Sequence, residues 1–373
     1  MRVERISRWE ELAGLAPYWH ALARGVPFRS WAWLGGWWRH YGADESGRRR
    51  LFALAVYDDH NELVGLAPWY LEKTRNRGQV VRLLGSGDVC SDYLSLLCLP
   101  GREARVADAL AKWLSDESAQ RGAHRWNALL VGGVDAADVV TQHFIERMRE
   151  LGAPVYCQPG PNCWRIELPR TWHEFLAGLS KSHRKQIRRL DDRLFASGRA
   201  QLRTAARPVE LHRGLEILME LHGRRRGELG QRGVFEASAC AAFHQEAAQQ
   251  LFVDRALRLS WIELDGRPVA AEYQLVGTHA VYAYQSGIDP AALGCEPGRL
   301  AMMATLRRAI DEGYRWFDLL RGDEPYKAHW RARPRGSLDV CILPANGADW
   351  FRQRALVAGW QFRRWLRQGW KQN

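Results

Sequence analysis

The sequence predicts a mixed α/β (α+β) protein of two tandem domains, each with a mostly antiparallel sheet flanked by helices. Its 373 residues exceed one average domain and suit two of roughly 150–200 residues each. Hydrophobic residues make up 46% of the chain, which is enough for two packed cores. One order of predicted elements occurs twice: a helical region, a hairpin, then strand–helix–strand. This repeat indicates an internal duplication of one fold.

The first half begins with helices over Trp9–Tyr41, because apolar residues recur there at helical spacing. A hairpin follows, since Asp58-Asp59-His60-Asn61 supplies turn residues between two strand-like runs. The remaining boundaries are the hairpin strands Leu51–Tyr57 and Glu62–Tyr70, the strands Val80–Leu84, Tyr93–Leu99 and Trp126–Val131, and the helices Glu103–Gln120 and Ala137–Leu151. This order is that of a mixed α/β domain.

A segment rich in Pro and Gly, Gly152–Pro161, interrupts this pattern and predicts a domain boundary. Beyond it, Asp265-Gly266 is a strong signal for a tight hairpin turn. The strands predicted here are Trp164–Leu168, Gln201–Ala205, Leu257–Leu264, Pro268–Val276, His279–Gly287 and Trp316–Leu320, and the main helices are Val209–Arg225, Ser238–Arg255 and Gly298–Gly313. We therefore predict domains at 1–155 and 156–345, followed by a basic, Trp-rich helix at 346–373.

The charge balance predicts an anionic partner. Lys and Arg number 54 against 42 Asp and Glu, giving a formal charge of +12. A phosphorylated cofactor, a nucleic acid or an acidic membrane would fit, and so would an arginine-rich solvated surface without a partner. Seven cysteines without a C-x-x-C pair predict no zinc site and no other metal centre. The acidic N-terminus and the absence of long apolar runs predict a cytoplasmic protein or one peripheral at the inner membrane face.

Several motifs together resemble one family. They are the basic helix Ser182–Gly198, Asp265-Gly266-Arg267-Pro268-Val269-Ala270, Tyr284–Pro290, Pro297-Gly298, Phe317-Asp318 through Tyr326-Lys327, and in the first half Gly85-Ser86-Gly87 with Ser91-Asp92-Tyr93-Leu94. As a set they resemble the GNAT-superfamily acetyltransferase domain of CelD-like proteins of cellulose biosynthesis, which is related to Fem-type peptidyltransferases. The resemblance covers about residues 51–343. It implies two tandem GNAT-like domains, acyl-CoA as co-substrate, and a role in polysaccharide biosynthesis.

The resemblance also implies where the donor binds. In GNAT folds the strand that here contains Tyr284 splays from its neighbour, and its free backbone pairs with the pantetheine arm. Ser286, Gly287 and Ile288 are the expected donor contacts. The helix that starts at Pro297 would hold the pyrophosphate through Gly298, Arg299 and Leu300. In place of the usual R/Q-x-x-G-x-G/A loop this chain has Gly294-Cys295-Glu296-Pro297-Gly298-Arg299, where Glu296 would repel a phosphate.

Two side chains are candidates for proton transfer. Asp318 is a carboxylate within an apolar strand, so it either pairs with Arg321 or Lys327 or takes a proton from an attacking amine. Tyr284 could protonate the leaving thiolate, because a phenol has a pKa near that of a thiol, or it could be core packing.

The remaining substrate contacts are expected from both halves. They are Arg321, Tyr326 and Lys327 near the end of the same strand, and Asp92 and Tyr93 in the first half.

The acceptor is expected to be an amine on a small molecule, lipid or sugar, attacked without a covalent enzyme intermediate. Two alternatives remain open. An aminoacyl-tRNA-dependent, Fem-like transferase fits the positive charge and the basic helix Ser180–Arg193. For that helix, however, a solvated amphipathic face is the favoured interpretation, since no aromatic side chains interleave with the basic ones. A non-catalytic scaffold in polysaccharide or envelope synthesis is the second alternative. The tail 346–373 could contact a membrane, a partner or its own domain.

Overall fold

The computed structural model describes residues 1–42, 47–119, 125–345 and 359. These residues form two compact units. Of the described residues, those within 1–24, 28–160 and 336–345 belong to the first unit, and residues 25–27 and 161–335 belong to the second. The tail helix predicted at 346–373 lies outside the described residues, Gly359 apart. Residues 336–345 group with the first unit, whereas the sequence predicted them in the second domain. That each predicted domain folds as an independent unit stays a prediction.

The first unit contains two sheets and five helices among its described residues. Its elements are β1 Arg2–Ile6, α1 Trp9–Ala13, α2 Ala16–Ala23, α3 Trp31–Trp37, β2 Arg49–Leu51, β3 Ala53–Tyr57, β4 Leu63–Ala67, β5 Trp69–Thr74, β6 Gly78–Leu83, β7 Leu97–Cys98, α4 Glu103–Ala119, β8 Ala128–Asp135, α5 Val139–Glu150 and β9 Val155–Pro159. One sheet has the order β1-β3-β4-β7. In the other, β2-β5-β6-β8 continues with a late strand of the chain and ends at β9.

The predicted hairpin of the first half is divided between these two sheets. Strands β3 and β4 pair antiparallel in the smaller sheet, while β2 and β5 pair in the larger one. The chain passes between sheets at Phe52 and Pro68. Proline suits such a crossing because it has no N–H to donate to a ladder. The predicted strand Tyr93–Leu99 shortens to β7, and the predicted boundary segment contains β9.

The second unit is one seven-stranded sheet with helices packed against it. Its elements are β10 Cys163–Glu167, α6 Trp172–Gly178, α7 Lys181–Leu190, β11 Ala200–Thr204, α8 Pro208–Glu228, α9 Ser238–Val253, β12 Leu257–Leu264, β13 Arg267–Val276, β14 Ala280–Ile288, α10 Pro297–Asp311, β15 Trp316–Arg321, α11 Tyr326–His329 and β16 Arg333–Arg335. The strand order is β11-β12-β13-β14-β15-β10-β16. All neighbours are antiparallel except β14 and β15. The predicted fold class, a mostly antiparallel mixed sheet flanked by helices, is confirmed.

Local chemistry explains several boundaries of the second unit. Helix α7 begins after Ser180, whose hydroxyl accepts the His183 N–H at 3.3 Å, so a free amide of the first turn is satisfied. The β12–β13 turn places Asp265 and Gly266 at φ 50° and 80°. Two consecutive left-handed residues match the twist of a two-residue hairpin, which is why the sequence signal is reliable here. A core of buried side chains from α6, α7, α10 and the sheet holds the unit together.

The last strand of the described chain, β17 Ser337–Ile342, belongs to the first unit. It lies between β8 and β9 and pairs antiparallel with both. Cys341 packs there with Val80, Ala128, Leu130 and Leu343 in a small buried cluster.

The duplication is visible as topology. In each unit a hairpin leads through a helix to a parallel strand, as β5–β6–α4–β8 and as β13–β14–α10–β15.

Candidate active site

Strands β14 and β15 separate after three residue pairs. Their parallel register joins Ala280 to Trp316, Val281 to Phe317 and Tyr282 to Asp318, and it ends there. Strand β14 continues to Ile288, paired only with β13 among the strands of the described chain. The backbone of β14 beyond Tyr282 therefore faces an opening in the sheet. An extended ligand with amide groups can pair with such a backbone edge.

A β-bulge lies within this segment. Ala283 pairs with Gln274 and Gln285 pairs with Tyr273, so Tyr284 is an extra residue on β14. Regular alternation along this strand would put Tyr282, Tyr284 and Ser286 on one face. The bulge interrupts the alternation and moves Ser286 to the opposite face. Ser286 lies with Ala283 on the face of α10, since Ala283 packs against the core that α10 helps to form.

Tyr284 packs against α9 through a hydrogen-bonded pair. Its hydroxyl lies 3.0 Å from His244 Nε2, and the two rings stack with centroids 5.6 Å apart. His244 Nδ1 lies 2.8 Å from the Cys240 carbonyl oxygen, which only accepts, so Nδ1 carries the proton and Nε2 accepts from Tyr284. Burial lowers the pKa of His244 to about 4 and keeps the ring neutral. Protonation of a thiolate by Tyr284 would have to break this bond.

Asp318 forms a buried ion pair. Its side chain is 0% exposed, and Arg165 Nε on β10 donates to it at 3.0 Å. The Leu320 N–H donates to its other oxygen at 2.9 Å. The structure thus supplies Arg165 as a partner, where the sequence suggested Arg321 or Lys327. Removing a guanidinium from a buried carboxylate is costly, so we infer a structural role rather than that of a base.

Lys327 fastens the end of β15. It is 2% exposed, and its ammonium donates to the carbonyl oxygens of Leu320, Arg321 and Gly322 at 3.0–3.1 Å. Glu324 lies 2.9 Å from the same nitrogen. An ammonium has three N–H donors, and the three carbonyls use them. We therefore infer that Lys327 supports this turn, in place of the expected contact with the substrate.

The N-terminus of α10 has one accessible amide. The Glu296 carbonyl accepts the N–H groups of Arg299 and Leu300, and Pro297 has none. Gly298 is exposed, and a Cβ placed there would meet only Ile288 Cγ2, at 3.9 Å. An anion can thus approach the Gly298 N–H and the positive end of the helix.

The other expected donor contacts are buried or have partners within the protein. The Leu300 side chain is 0% exposed and lies in the core, so its expected contact with the donor is not supported. Arg299 is partly exposed and forms an ion pair with Glu296. Gly287 is enclosed by α8: a Cβ there would lie 2.6 Å from His222 N and 2.9 Å from Leu221 Cβ, so packing alone requires this glycine. The Ser286 carbonyl accepts from His222 Nδ1 at 2.9 Å.

A carboxyl group that the sequence interpretation overlooked lies beside this opening. Glu272 on β13 pairs across the sheet with Ser286 on β14. It is half-buried, and burial raises its pKa to about 8. The signal in the sequence was a single acidic residue within the apolar strand Val269–Val276.

Tyr326, at the start of α11, lies close enough to Glu272 for the negative charge of that carboxylate to affect the pKa of the Tyr326 hydroxyl. The Tyr326 residue is 47% exposed. Burial of its hydroxyl, with Glu324 and Glu272, raises the pKa of Tyr326 to about 12. The expected substrate contact Tyr326 therefore lies in this region, and Arg321 ends β15 nearby in the chain, half-buried.

Asp92 and Tyr93 belong to the first unit and are buried, 2% and 5% exposed. Tyr93 adopts φ 59°, and its carbonyl accepts from Arg29 Nε at 2.6 Å. Their contact with an acceptor stays a prediction.

Within the described ranges, no cluster of three or more His, Cys, Asp or Glu could hold a metal ion. No helix in the same ranges is long and apolar enough to cross a membrane.

Comparison with known proteins identifies the class of the second unit. Residues 181–328 match the Acetyltransferase (GNAT) domain family, over less than half of the chain. The second unit therefore contains a GNAT acetyltransferase domain, as the resemblance implied; the narrower CelD-like assignment remains a prediction. No curated protein matches the sequence.

Solved structures share the fold over nearly the whole chain. FemX aligns with TM-score 0.64 and 11% identity, over 91% of this chain and 97% of that one. A conserved protein of unknown function from Bacteroides thetaiotaomicron VPI-5482 aligns with TM-score 0.57 and 12% identity, over 92% and 100%. The C-terminal domain (DUF2156) of a putative lysylphosphatidylglycerol synthetase from Agrobacterium fabrum aligns with TM-score 0.51 and 12% identity, over 94% and 96%. At these identities the similarity concerns the fold.

Proposed function

We propose that this protein is an N-acyltransferase that moves an acyl group from acyl-CoA to an amine acceptor. One observation carries the proposal, the divergence of β14 from β15 after Tyr282. The exposed Gly298 in the first turn of α10, the helix that follows β14, adds a second feature. A donor with an extended amide-bearing arm and a pyrophosphate has complementary groups for both features.

The donor would bind along the free edge of β14. The pantetheine amides would pair with the backbone from Ser286 to Ile288. The pyrophosphate would accept from the Gly298 N–H, while Arg299 adds positive charge once its ion pair with Glu296 opens. The GNAT domain match supports this arrangement, because it covers β14, α10 and β15.

The reaction is a direct displacement. The amine nitrogen forms a bond to the thioester carbonyl carbon, the C–S bond breaks, and the thiolate takes a proton. With no covalent enzyme intermediate, the protein contributes positioning, exclusion of water and transfer of the amine proton. The acceptor is proposed to be a small molecule, a sugar or a lipid, and the protein to act in the cytoplasm or at the inner membrane face.

One observation favours a second candidate, an aminoacyl-tRNA donor of the Fem-like alternative. Helix α7 buries His183, Ile187 and Leu190 and presents basic side chains on its other face. Those cations, Lys181, Lys185, Arg188 and Arg189, are exposed and have no ion-pair partner within residues 1–42, 47–119 and 125–345. Such a face suits a phosphate backbone. The acyl-CoA proposal ranks first because the GNAT match and the divergence of β14 from β15 concern the transfer site itself.

Thermal stability with ligands tests both candidates. A ligand that binds the native protein at 100 times its Kd stabilises it by about 2.7 kcal/mol. Acetyl-CoA, longer acyl-CoAs, free CoA and deacylated tRNA would be compared. We expect a rise in Tm with an acyl-CoA. A rise with tRNA alone would select the Fem-like alternative, and no rise with any of them would favour the scaffold.

A matched pair of variants locates the donor. Gly298→Ala adds a methyl group to open space and should keep the shift in Tm with acyl-CoA. Gly298→Asp places a carboxylate beside the expected pyrophosphate and should abolish it. Equal shifts in both variants would place the donor elsewhere.

A further inference from the structure

Glu272 occupies an unusual position in the second unit. Along one row of the sheet it faces Ser260 on β12 and Ser286 on β14. Paired residues of antiparallel strands share a face, with Cβ atoms roughly 4.5–5.5 Å apart. Ser286 is exposed and belongs to the segment of β14 that has left β15. The Glu272 side chain therefore lies one strand away from the opening in the sheet.

The Glu272 carboxylate has no hydrogen-bond donor or ion-pair partner among the residues that the structure describes. Other carboxylates of this sheet have partners: Asp318 pairs with Arg165, Glu263 with Arg203 and Asp265 with Arg199. A half-buried carboxyl without a partner is destabilising, and such groups concentrate where a ligand supplies the missing partner.

The charged groups on the neighbouring elements have other partners. On α10, Arg299 pairs with Glu296, Arg307 with Asp191 and Arg308 with Glu312. On β12, Arg258 pairs with Glu312, and on α8 His222 hydrogen-bonds to the Ser286 carbonyl. After β15, Lys327 donates to three carbonyls and lies beside Glu324. The charge of Glu272 helps to raise the pKa of Tyr326 on α11, and the Tyr326 side chain carries no positive charge. None of these cations pairs with the Glu272 carboxylate, and a ligand can supply one.

We propose that Glu272 binds the ammonium group of the acceptor amine and accepts its proton. This inference rests on the proposed N-acyl transfer. The Glu272 carboxylate takes one proton from the ammonium, and the neutral amine attacks the thioester carbonyl carbon. The C–N bond forms as the C–S bond breaks. The nitrogen loses a second proton, which the thiolate takes, and Glu272 returns its own proton to solvent.

The electrostatics of the site support this assignment. A base works best when its pKa lies near the operating pH, and burial places that of Glu272 at about 8. Asp318, by contrast, is held by Arg165 and has no exposed surface. The Tyr284 hydroxyl donates a hydrogen bond to His244 Nε2.

The test compares Glu272→Gln with Glu272→Asp, with Glu263→Gln as a matched control on the neighbouring strand. Acetyl-CoA is the donor, and glucosamine, lysine, putrescine and ethanolamine are the acceptors. Glu272→Gln should reduce kcat/KM by roughly 10²–10⁴-fold. The aspartate variant should retain part of the rate, and the control nearly all of it. The pH dependence of kcat/KM should lose its ionisation near pH 8 in Glu272→Gln.

Two results separate this inference from the proposed function. The shift in Tm with acetyl-CoA should be equal in the wild type and in Glu272→Gln, which also shows that the variant is folded. No shift in the wild type means that the proposed function fails. A shift with full activity and an unchanged pH profile in Glu272→Gln overturns the role of Glu272 alone.

Discussion

Replacing Glu272 by Gln should stabilise the protein at alkaline pH. Burial raises the pKa of Glu272 from 4.5 to about 8, so ionisation is disfavoured in the folded state. The folded protein therefore gains stability from this group below the unfolded pKa and loses it as the pH rises towards 8. The full rise in the pKa of Glu272 corresponds to roughly 5 kcal/mol in the free energy of unfolding. Solvent reaches the half-buried side chain, so we expect about 2–3 kcal/mol above pH 8.

Thermal denaturation at pH 5 and pH 9 measures this effect. For a unit of this size each kcal/mol moves Tm by roughly 2–4 °C, so Glu272→Gln should melt about 5–10 °C above the wild type at pH 9. At pH 5 the two should melt together. Glu263→Gln is the control with opposite sign: burial alone would raise the pKa of Glu263, but hydrogen bonds from Trp261 and Arg203 lower it, so this variant should be the less stable at pH 9. Equal destabilisation by Glu272→Gln at both pH values would refute the reasoning.

Three further substitutions test the structural assignments, each by the change in Tm. Arg165→Met should destabilise by about 3–5 kcal/mol, because it leaves the Asp318 carboxylate buried without its guanidinium; an unchanged Tm would reopen Asp318 as a base. Lys327→Met should cost about 2–3 kcal/mol, since three carbonyls at the end of β15 lose their donor. Gly287→Ala should cost about 1–3 kcal/mol through overpacking against α8, and a neutral result would mean that α8 yields easily.

The local elements of the fold were predictable from sequence. The Asp265-Gly266 turn requires two left-handed residues, and the helix after Glu296 begins with proline, so both signals act within a few residues. The division of one predicted hairpin between two sheets was not predictable, because Pro68 permits a crossing without requiring it. The location of β17 depends on pairing with β8, about 200 residues earlier in the chain.

The sequence predicted the backbone features of the candidate site, but the structure gives its side chains partners and positions that were not expected. The opening beside β14 and the helix at Pro297 follow from the order of elements. The partner of Asp318 could not be predicted, since Arg165 lies 153 residues away and only the β10–β15 pairing brings them together. The bulge at Tyr284 has no turn residue to announce it, so strict alternation gave the wrong face for Ser286. Glu272 could have been identified from the sequence, because an acidic residue within an apolar strand is costly to bury without a partner.

The location of β17 has a consequence for biosynthesis. The second unit is inserted into the first, whose larger sheet lacks an interior strand until residues 337–342 leave the ribosome. Nascent domains fold as units when their residues emerge, so the inserted unit can finish before the one that begins the chain. Until then β8 and β9 expose unpaired backbone edges, which are targets for aggregation and for chaperones. A fragment that ends at residue 160 would keep these edges permanently, and separate expression of the two units should therefore succeed only for the second.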